Sequence, residues 1–382
     1  MVKRKKITVG VIFGGQSGEH EVSLVSANSV INSLDRKKYQ VIPIGITKSG
    51  HWLMGPDALK FLRTGQGVNF HHESIIPESN QQALVPINKS ITRLHKTQKG
   101  IYQGKLDVVF PVLHGPYGED GTIQGLFELS DIPYVGAGVL ASACGMDKVI
   151  MKALFRQSGI PTPKYIGVIR HDFEKHKSQI IKQIEKRIGY PNFIKPANLG
   201  SSVGISKCKN RAGLARGIRQ AFKYDRKVII EEAISGREIE CSVMGHNEPI
   251  ASLPGEVKSN REFYDYQAKY IDGLSEIILP APLTNRQVKL IRDLAIQAFR
   301  SIDCSGLARI DFFLENKTGR ILVNEINTMP GFTDISMYPK LWEITGLPYP
   351  RLLDKLIELA IFRHREKSLI NKSFKPSKNW YV

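Results

Sequence analysis

Strand-like and helix-like runs alternate over residues 1–147, and this alternation constrains the fold more than any other feature of the chain. The apolar runs "ITVGVIFGG", "QVIPIGIT" and "LDVVFPVLH" have the composition of buried strands, while "EVSLVSANSVINSLD" and "GTIQGLFELS" have the spacing of helices. Strands that alternate with helices are typical of a parallel α/β sheet. We therefore predict an α/β fold with a parallel sheet at the amino-terminal end.

Two glycine-rich segments, "GGQSGEHE" and "HGPYGEDG", each come directly after one of these apolar strands. In open α/β sheets, ligands bind beyond the carboxyl ends of the strands. The two segments are therefore predicted to lie at a ligand-binding edge.

The length of 382 residues suggests two or three domains. We predict boundaries at 1–147, 148–235 and 236–382. The middle region opens with the helix "DKVIMKALFRQSG" and continues with "PNFIKPANLGSSVGISKCKN", in which two β-rich runs flank a Gly/Ser loop. This pattern predicts a small sheet with a mobile glycine loop. The last region contains the hairpin "LARIDFFLENKTGRILVNEIN" and the amphipathic helix "RLLDKLIELAIF".

A polar and aromatic stretch at 255–273, "GEVKSNREFYDYQAKYIDG", has no clean periodicity. Long irregular segments inside compact domains are either disordered or functional lids, and its four aromatic residues favour a lid. The nearby "TNRQ" has the residues of a capping box, Thr284 to Gln287, which predicts a helix reaching about Ser301.

Composition excludes several classes of protein. Apolar residues make up 42% and charged residues 24% of the chain, and no uncharged apolar run approaches the roughly 18 residues of a membrane span, so we expect a soluble globular protein that does not enter membranes. The start "MVKRKKITVGVIFGG" has some features of a secretory signal. Its apolar run is short and the acidic "GEHE" follows at once, which favours a first buried strand.

The cysteines and the net charge indicate little chemistry. The four cysteines are far apart and form no C-x-x-C pair, so we expect reduced thiols without a zinc site or disulfide. The formal charge of +18 raises the alternative of a nucleic-acid-binding protein. Much of the excess lies in the terminal runs "KRKK" and "RHREKSLINKSFKPSK", without a nucleic-acid fold signature, so no specific nucleic-acid partner is expected.

The hairpin carries polar side chains where apolar ones are expected. Glu325 and Asn327 point to the same face because side chains alternate along a strand. A turn centred in "LENKTGR" places Asp311 opposite position 324 or 325. Asp311, Glu325 and Asn327 are therefore predicted to form one patch of oxygen atoms, with Arg309 beside it.

Two interpretations of this patch remain open from the residues alone. Adjacent carboxylates resist joint ionisation, and a divalent cation removes that cost. Oxygen ligands without His or Cys select Mg²⁺, or Mn²⁺ as a substitute, over zinc. In the alternative, Asp311 or Glu325 simply pairs with Arg309 in a structural salt bridge.

The Gly/Ser loop favours a nucleotide. "NLGSSVG" offers backbone N–H groups, and Lys195 directly before Pro196 is long enough to reach phosphate oxygens. Neither G-x-x-x-x-G-K-[ST] nor G-x-G-x-x-G occurs in these loops, so the fingerprints of P-loop and dinucleotide-binding proteins are missing. Together with the hairpin, the loop predicts a nucleotide held between two sheets.

Eight segments in order resemble the D-alanine:D-alanine ligase family of the ATP-grasp superfamily over nearly the whole chain. They are "GGQSGEHEVS", "HGPYGEDGTIQGL", "GMDK", "FIKPANLGSSVGIS", "EEAISGREIE", "FYDYQAKY", "ARIDFF" and "NEINTMPGFT". The resemblance implies an ATP-grasp fold with an amino-terminal parallel α/β domain. It also implies a cytoplasmic homodimer that supplies a peptidoglycan precursor.

The reaction implied by this resemblance has two steps. ATP phosphorylates the carboxylate of one D-alanine, and the amine of a second D-alanine then attacks the acylphosphate and expels phosphate. Two Mg²⁺ ions, replaceable by Mn²⁺, assist as cofactors. The metal is expected at Asp311, Glu325 and Asn327, the oxygen patch of the hairpin.

The resemblance also implies roles for the remaining candidate residues. Glu19, oriented through Ser201 and Tyr270, binds the first substrate's ammonium with His114 close by, although an ordinary helix-start acid is the alternative for Glu19. For ATP, the resemblance implies phosphate binding by Lys148, Lys195 and Ser202, a nucleotide hinge of Glu231, Ala233, Ile234 and Glu238, and a nucleotide contact by Phe263. It implies an oxyanion site formed by Arg309 and the Gly331 N–H. It also implies that Ser336 and Lys269 bind the second substrate, and that Lys269 reaches the γ-phosphate as well.

Tyr270 bears on the acceptor, because related ligases that use a hydroxy acid tend to depart from tyrosine there. Its presence favours an amine, and hence a D-Ala-D-Ala product. A D-Ala-D-Lac ligase is the enzymatic alternative.

Overall fold

The computed structural model describes residues 5–67, 70–75, 84–86, 105–259, 275–333 and 335–371. The strands in these ranges are β1 Ile7–Gly14, β2 Tyr39–Ile46, β3 Trp52–Met54, β4 His71–Ile75, β5 Leu84–Pro86, β6 Val108–Pro111, β7 Tyr165–Ile169, β8 Asn192–Pro196, β9 Ser206–Cys208, β10 Lys227–Glu232, β11 Gly236–Gly245, β12 Ile250–Ala251, β13 Gly255–Ser259, β14 Ser275–Ile278, β15 Gly306–Glu315 and β16 Ile321–Asn327. The helices are α1 His20–Ser33, α2 Ala58–Thr64, α3 Thr122–Leu129, α4 Val139–Met146, α5 Lys148–Gln157, α6 Arg170–Arg187, α7 Arg211–Ala221, α8 Asn285–Ser301, α9 Met337–Ile344 and α10 Tyr349–Ser368.

The first sheet has the strand order β5-β4-β3-β2-β1-β6. The three strands predicted from the apolar runs pair in parallel, with β1 between β2 and β6. The sheet is nevertheless mixed, because β3, β4 and β5 continue it in antiparallel pairs. The connection from β2 to β3 is only a few residues long, and such a short link allows a hairpin but no parallel crossover.

The carboxyl ends of β1 and β6 lie side by side, as predicted, so the glycine-rich segments that follow them meet. The Ser17 hydroxyl donates to the His114 carbonyl across this edge, at 2.8 Å. Ser23 at the start of α1 also accepts a hydrogen bond from the Gly14 N–H, at 2.8 Å. These bonds fix the loop that carries Glu19.

The second sheet is antiparallel, with the order β7-β10-β8-β9. Its β8 and β9 are the two predicted β-rich runs, and they pair antiparallel on either side of the loop 197–205. Asp225 holds the start of this loop, because one carboxylate oxygen accepts from both the backbone and side-chain nitrogens of Asn198, at 2.8 and 2.9 Å. The prediction of a small sheet that is not a parallel unit is confirmed.

The third sheet has the order β14-β13-β11-β15-β16, and β12 pairs with β11. The predicted hairpin is β15–β16, and its ladder pairs Asp311 with Glu325 and Arg309 with Asn327. The register shifts between Asp311 and Phe312, so Asn324 is the bulge residue. The predicted capping box is present, with Thr284 and Gln287 each bonding the other's backbone N–H at the start of α8.

The predicted irregular stretch at 255–273 is corrected at its start. Gly255–Ser259 is strand β13, because it pairs with β11 on one side and β14 on the other. The rest of the stretch, including Phe263, Lys269 and Tyr270, lies outside the described residues.

One hydrophobic core joins the amino-terminal sheet to the end of the chain. Phe110 of β6 and Phe332 pack edge to face with centroids 5.5 Å apart, and Trp342 and Leu356 of the last two helices are buried in the same cluster. All four cysteines are free, as predicted. None of the helices in the described ranges has the length and apolar character needed to span a bilayer.

We predict that Gly14→Ala lowers the free energy of unfolding by about 3 kcal/mol or more, measured by urea denaturation. Gly14 has φ +91°, and an added Cβ would lie 2.1 Å from the Ile46 carbonyl oxygen. Gly65→Ala is the matched control, because Gly65 has φ +70° but no described atom within 4 Å of the added carbon. This control should lose only about 1 kcal/mol, and equal losses would contradict the steric argument.

Candidate active site

A cavity of about 790 Å³ is lined by strands of the second and third sheets and by Glu19 and Glu119 from the loops that follow β1 and β6. The loop before α1, the glycine loop, the segment between β10 and β11, and the β15–β16 hairpin each contribute to its lining. The volume is that of a site for one or two small ligands. The cavity lies between the second and third sheets, and the binding of a nucleotide there stays a prediction.

Glu19 lies in this wall at the N-cap position of α1. Within the described part of the chain its side chain makes no capping hydrogen bond, and it instead accepts one from the Ser201 hydroxyl of the glycine loop. A Cβ added at Gly115 would come within 2.6 Å of Glu19 Oε2, and one at Gly200 within 3.2 Å. The carboxylate is thus enclosed by two glycine-containing loops, which the helix-start interpretation does not explain.

His114 is buried behind Glu19 and lines a smaller neighbouring cavity of about 190 Å³. Its Nδ1 donates to the Met329 carbonyl at 3.0 Å, and its Nε2 lies 3.2 Å from the Ser26 hydroxyl. Burial by itself lowers the pKa of His114, but the hydrogen bond and charge of Glu119 outweigh it and leave the pKa raised. His114 therefore connects the amino-terminal edge to the segment that follows β16.

Lys148 and Lys195 both line the main cavity. The Lys148 ammonium donates to the Leu199 carbonyl of the glycine loop at 2.9 Å and lies 3.8 Å from Glu325 Oε2. Asp147 caps α5 through two backbone N–H groups and is paired with Lys227, so the start of that helix is held firmly. Lys148 is thus directed at the space between the glycine loop and the hairpin.

The predicted hinge residues all contribute to the cavity wall, namely Glu231, Ala233, Ile234 and Glu238, as does Ser202 of the glycine loop. The Glu231 carboxylate is buried between two lysines, with Oε2 2.7 Å from Lys195 Nζ and Oε1 2.8 Å from Lys152 Nζ. Burial alone would raise the pKa of Glu231, yet the two ammonium groups lower it to about 2. This acid is therefore ionised throughout the physiological range.

The hairpin brings the predicted oxygen patch and the alternative salt bridge together. Arg309 forms a bidentate pair with Asp311, at 2.7 Å for both hydrogen bonds, and lies 2.8 Å from Glu240 Oε2. The Asn327 side-chain nitrogen donates to Asp311 at 2.9 Å. The side-chain oxygen of Asn327 takes no part in this bond and is the atom that could bind a cation. Glu325 stands opposite Asp311 in the ladder and lines the cavity.

The donor chemistry of this patch suits a magnesium ion that shares its coordination with phosphates. Among the residues that the structure describes, no group of three or more His, Cys, Asp or Glu side chains is arranged to hold a metal. Magnesium is commonly bound by one or two carboxylates and completed by water and phosphate oxygens. Burial raises the pKa of Glu325, but Lys148, Lys195 and Arg309 outweigh it and lower the pKa, so the carboxylate is ionised.

Gly331 and Ser336 lie together on the loop before α9, although the described walls of the main cavity do not include them. The Ser336 hydroxyl accepts from the Thr333 N–H at 3.0 Å, and a Cβ added at Gly331 would lie 2.7 Å from that hydroxyl oxygen. No acceptor among the described residues takes the Gly331 N–H. Glycine at this position leaves room for the Ser336 hydroxyl.

Sequence reasoning missed three charged residues that surround the site: Lys152, Glu240 and Glu119. Glu240 alternates with Glu238 along β11, so their shared face was a usable signal. Glu119 occurs within the glycine-rich segment after β6 and accepts from the Gly115 N–H at 2.9 Å. Lys152 follows Lys148 by one helical turn, but a lone lysine in a helix is normally exposed.

Two family models together match most of the chain. Residues 8–137 match the model of the D-ala D-ala ligase N-terminus, and residues 154–358 match that of the D-ala D-ala ligase C-terminus. A protein named D-alanine–D-alanine ligase from Heliobacterium modesticaldum is 52% identical over 362 residues, covering 95% of this chain and 96% of the relative. A relative of the same name from Geobacillus kaustophilus is 50% identical over 373 residues, covering 98% and 100%.

Two solved structures are similar over nearly their whole length. The D-alanine-D-alanine ligase from Coxiella burnetii has a TM-score of 0.81 at 36% identity, covering 95% of this chain and 96% of that one. The VanG D-Ala:D-Ser ligase from Enterococcus faecalis has a TM-score of 0.82 at 37% identity, covering 93% and 100%.

The fold and these relatives define an ATP-grasp enzyme, an ATP-dependent ligase that joins a carboxylate to an amine. Such enzymes consume ATP and generally need metal ions. The chain belongs to the D-alanine–D-alanine ligase family.

We predict that Glu231→Gln lowers the free energy of unfolding at neutral pH by about 3–5 kcal/mol, because it leaves two buried lysines without their counter-charge. The folded-state pKa of about 2 is below the ordinary value of 4.5. The stabilisation by Glu231 is therefore fully present above pH 4.5 and is lost as the pH falls towards 2.

Urea denaturation between pH 7 and pH 3 measures this effect. The gap between wild type and Glu231→Gln should narrow as the pH falls, whereas the exposed Glu343→Gln serves as the control. A gap that stayed constant over this range would contradict the assigned charge state.

Proposed function

We propose that the chain uses this cavity to transfer the γ-phosphoryl group of ATP to the carboxylate of one D-alanine, and then joins that D-alanine to the amine of a second. The products are D-alanyl-D-alanine, ADP and phosphate, and the dipeptide serves peptidoglycan precursor synthesis. The observation that carries the proposal is the convergence of Glu19, the hairpin carboxylates and the cations Lys148, Lys195 and Arg309 on one cavity.

Glu19 is proposed to bind the ammonium of the first D-alanine. Its carboxylate accepts a hydrogen bond from the Ser201 hydroxyl, which orients it, and the lack of a Cβ at Gly115 and Gly200 lets both loops approach it closely. An ionised carboxylate is the natural partner of an ammonium group. His114 supports this subsite from behind, through Met329 and Ser26.

The nucleotide is proposed to lie between the glycine loop and the third sheet. Lys148, Lys195 and Ser202 hold the phosphates, while Glu231, Ala233, Ile234 and Glu238 contact the adenosine. Phosphoryl transfer relies on positioning and on neutralising the charge of the phosphate oxygens. The two lysines supply that charge directly, because both line the cavity.

Asp311, Glu325 and Asn327 would hold Mg²⁺, as two ions, with Mn²⁺ as a substitute. When bound, the metal neutralises phosphate charge and favours phosphoryl transfer. The support for this assignment is the donor set, with two ionisable carboxylates and one amide oxygen on a single hairpin.

Arg309 and the Gly331 N–H are proposed to stabilise the negative oxygen that forms when the second amine attacks. Burial lowers the pKa of Arg309, but Asp311 and Glu240 outweigh it and leave the pKa raised, so the guanidinium remains a cation. Oriented donors in a site shielded from water stabilise such an oxyanion effectively. Ser336, with Lys269, is proposed to receive the carboxylate of the second substrate.

The remaining predictions concern two residues of the expected lid, the oligomeric state, the cellular location and nucleic-acid binding. Phe263 and Tyr270 lie outside the described residues, so a nucleotide contact by Phe263 and a role of Tyr270 with Glu19 and Ser201 stay predictions. A homodimer, a cytoplasmic location and the lack of a specific nucleic-acid partner stay predictions.

Phosphate release from ATP is expected to require both D-alanine and a divalent cation. Purified protein is incubated with ATP and D-alanine, with Mg²⁺ omitted and then restored, and phosphate is measured. Turnover should be lost without Mg²⁺ and return with Mg²⁺ or Mn²⁺, because cations compensate the phosphate charge. ATP turnover that ignores D-alanine would contradict the proposal.

The same assay tests the acceptor. One structural relative is named for D-Ala and D-Ser, so D-serine and D-lactate are each supplied at the same concentration as D-alanine. We expect D-alanyl-D-alanine as the main product by mass spectrometry. A mixed product as the main species would reassign the acceptor but leave the phosphorylation step intact.

We predict that Glu325→Gln reduces kcat roughly a hundredfold or more while the protein still unfolds cooperatively, because the substitution removes a metal-binding charge. Glu315→Gln on the same hairpin is the matched control, since Glu315 lies near the turn and pairs with Arg320. Normal Mg²⁺-dependent turnover in Glu325→Gln would refute the metal assignment.

A further inference from the structure

Lys152 is a buried lysine in α5, and only 1% of the residue is exposed. Its ammonium donates to the Asn324 carbonyl at 2.7 Å and lies 2.8 Å from Glu231 Oε1. A buried charge is costly unless it is paired and hydrogen-bonded, and here it is both. The side chain thus connects a helix, the nucleotide hinge and the metal hairpin.

The contact with Asn324 involves the irregular point of the hairpin. The ladder pairs Asp311 with Glu325 and Phe312 with Val323, so Asn324 is the residue that it passes over. A bulge residue loses its regular ladder partners. Lys152 satisfies the carbonyl of this residue, directly before the proposed metal ligand Glu325.

The contact with Glu231 determines how much positive charge faces the cavity. The single negative charge of Glu231 is paired with two lysines, Lys195 on the cavity side and Lys152 on the buried side. If Lys152 were neutral, Glu231 would pair with Lys195 alone and cancel its charge. With Lys152 charged, the three groups together keep one net positive charge for a ligand.

Packing alone does not account for a lysine here. Replacing buried ion pairs by apolar residues of similar volume is often neutral or stabilising, so a methionine in this space avoids the cost of burying a cation. The charge therefore requires a reason beyond filling the core.

We propose that Lys152 is a positioning residue for ATP. It neutralises Glu231 from the buried side, so that Lys195 remains available to the phosphates, and it holds the Asn324 bulge that sets the position of Glu325. This inference rests on the proposed phosphate-binding role of Lys195.

Four variants test the proposal in the D-alanine-dependent ATPase assay: Lys152→Gln, Glu231→Gln, the double variant, and Lys289→Gln as a matched control on the surface. The Lys289 side chain is 80% exposed and pairs only with Asp293 among the described residues. Glutamine at 152 removes the charge but keeps an amide donor for Asn324. KM and kcat are measured separately for ATP and D-alanine, ADP affinity is measured by calorimetry, and folding is followed by thermal unfolding.

Lys152→Gln is expected to raise KM for ATP about tenfold or more and to weaken ADP binding by a similar factor. KM for D-alanine should stay within about twofold, and Lys289→Gln should match wild type. A folded Lys152→Gln with unchanged KM for ATP, but with a lower unfolding temperature, would show a purely structural role and overturn the proposal.

The double variant supplies the second, independent test. Removing Glu231 frees Lys195 again, so the double variant should bind ADP more tightly than Lys152→Gln does. If Lys152→Gln folds poorly, the double variant, in which neither member of the Lys152–Glu231 pair is charged, is compared with Glu231→Gln instead, and an equal ADP affinity of the two is then expected. If the losses of ADP affinity in Lys152→Gln and Glu231→Gln simply multiplied in the double variant, the two residues would act independently and the proposal would be overturned.

The wild-type assay separates this inference from the function. If wild type shows no D-alanine-dependent turnover, the proposed function fails. If wild type is active and Lys152→Gln keeps its affinity for nucleotide, only the role of Lys152 fails.

Discussion

The balance of buried charges around the central cavity is the constraint on which the rest of the site depends. Arg309 is held between Asp311 and Glu240, and Glu231 is held between Lys152 and Lys195. Each of these groups is costly to bury alone, so each requires the others to be in place. The same balance leaves cations and carboxylates facing one cavity, where we propose that the triphosphate and the metal bind.

A hydrophobic core packs the first sheet against the loop after β16 and the last two helices. Phe110 and Phe332 pack against each other, so the strand that precedes His114 is tied to the loop that carries Gly331. His114 repeats that connection with a hydrogen bond to Met329. Elements far apart in sequence thereby meet across one small-molecule site, which suits a reaction that must align two amino acids and a nucleotide.

Local patterns predicted the elements that depend on neighbouring residues. The capping box at Thr284, the strands β1 and β6 and the pairing of Asp311 with Glu325 are all confirmed, because caps, alternation and turn length act over a few positions. The antiparallel strands β3 to β5 were not predicted. They are short, and they form only because the edge of β2 is available for pairing in the folded sheet. The beginning of the expected lid is a strand for the same reason.

The sequence by itself determined the α/β class, the family and the chemical type of the candidate ligands, because these follow from periodicity and from motifs in a fixed order. Only the tertiary structure decided which charges are paired. Lys152 reads as an ordinary surface lysine in its helix, and Glu231 as one acid at the end of a strand. Their meeting at 2.8 Å joins positions almost 80 residues apart, and the free energy that makes such a pair tolerable comes from a burial that no local pattern encodes.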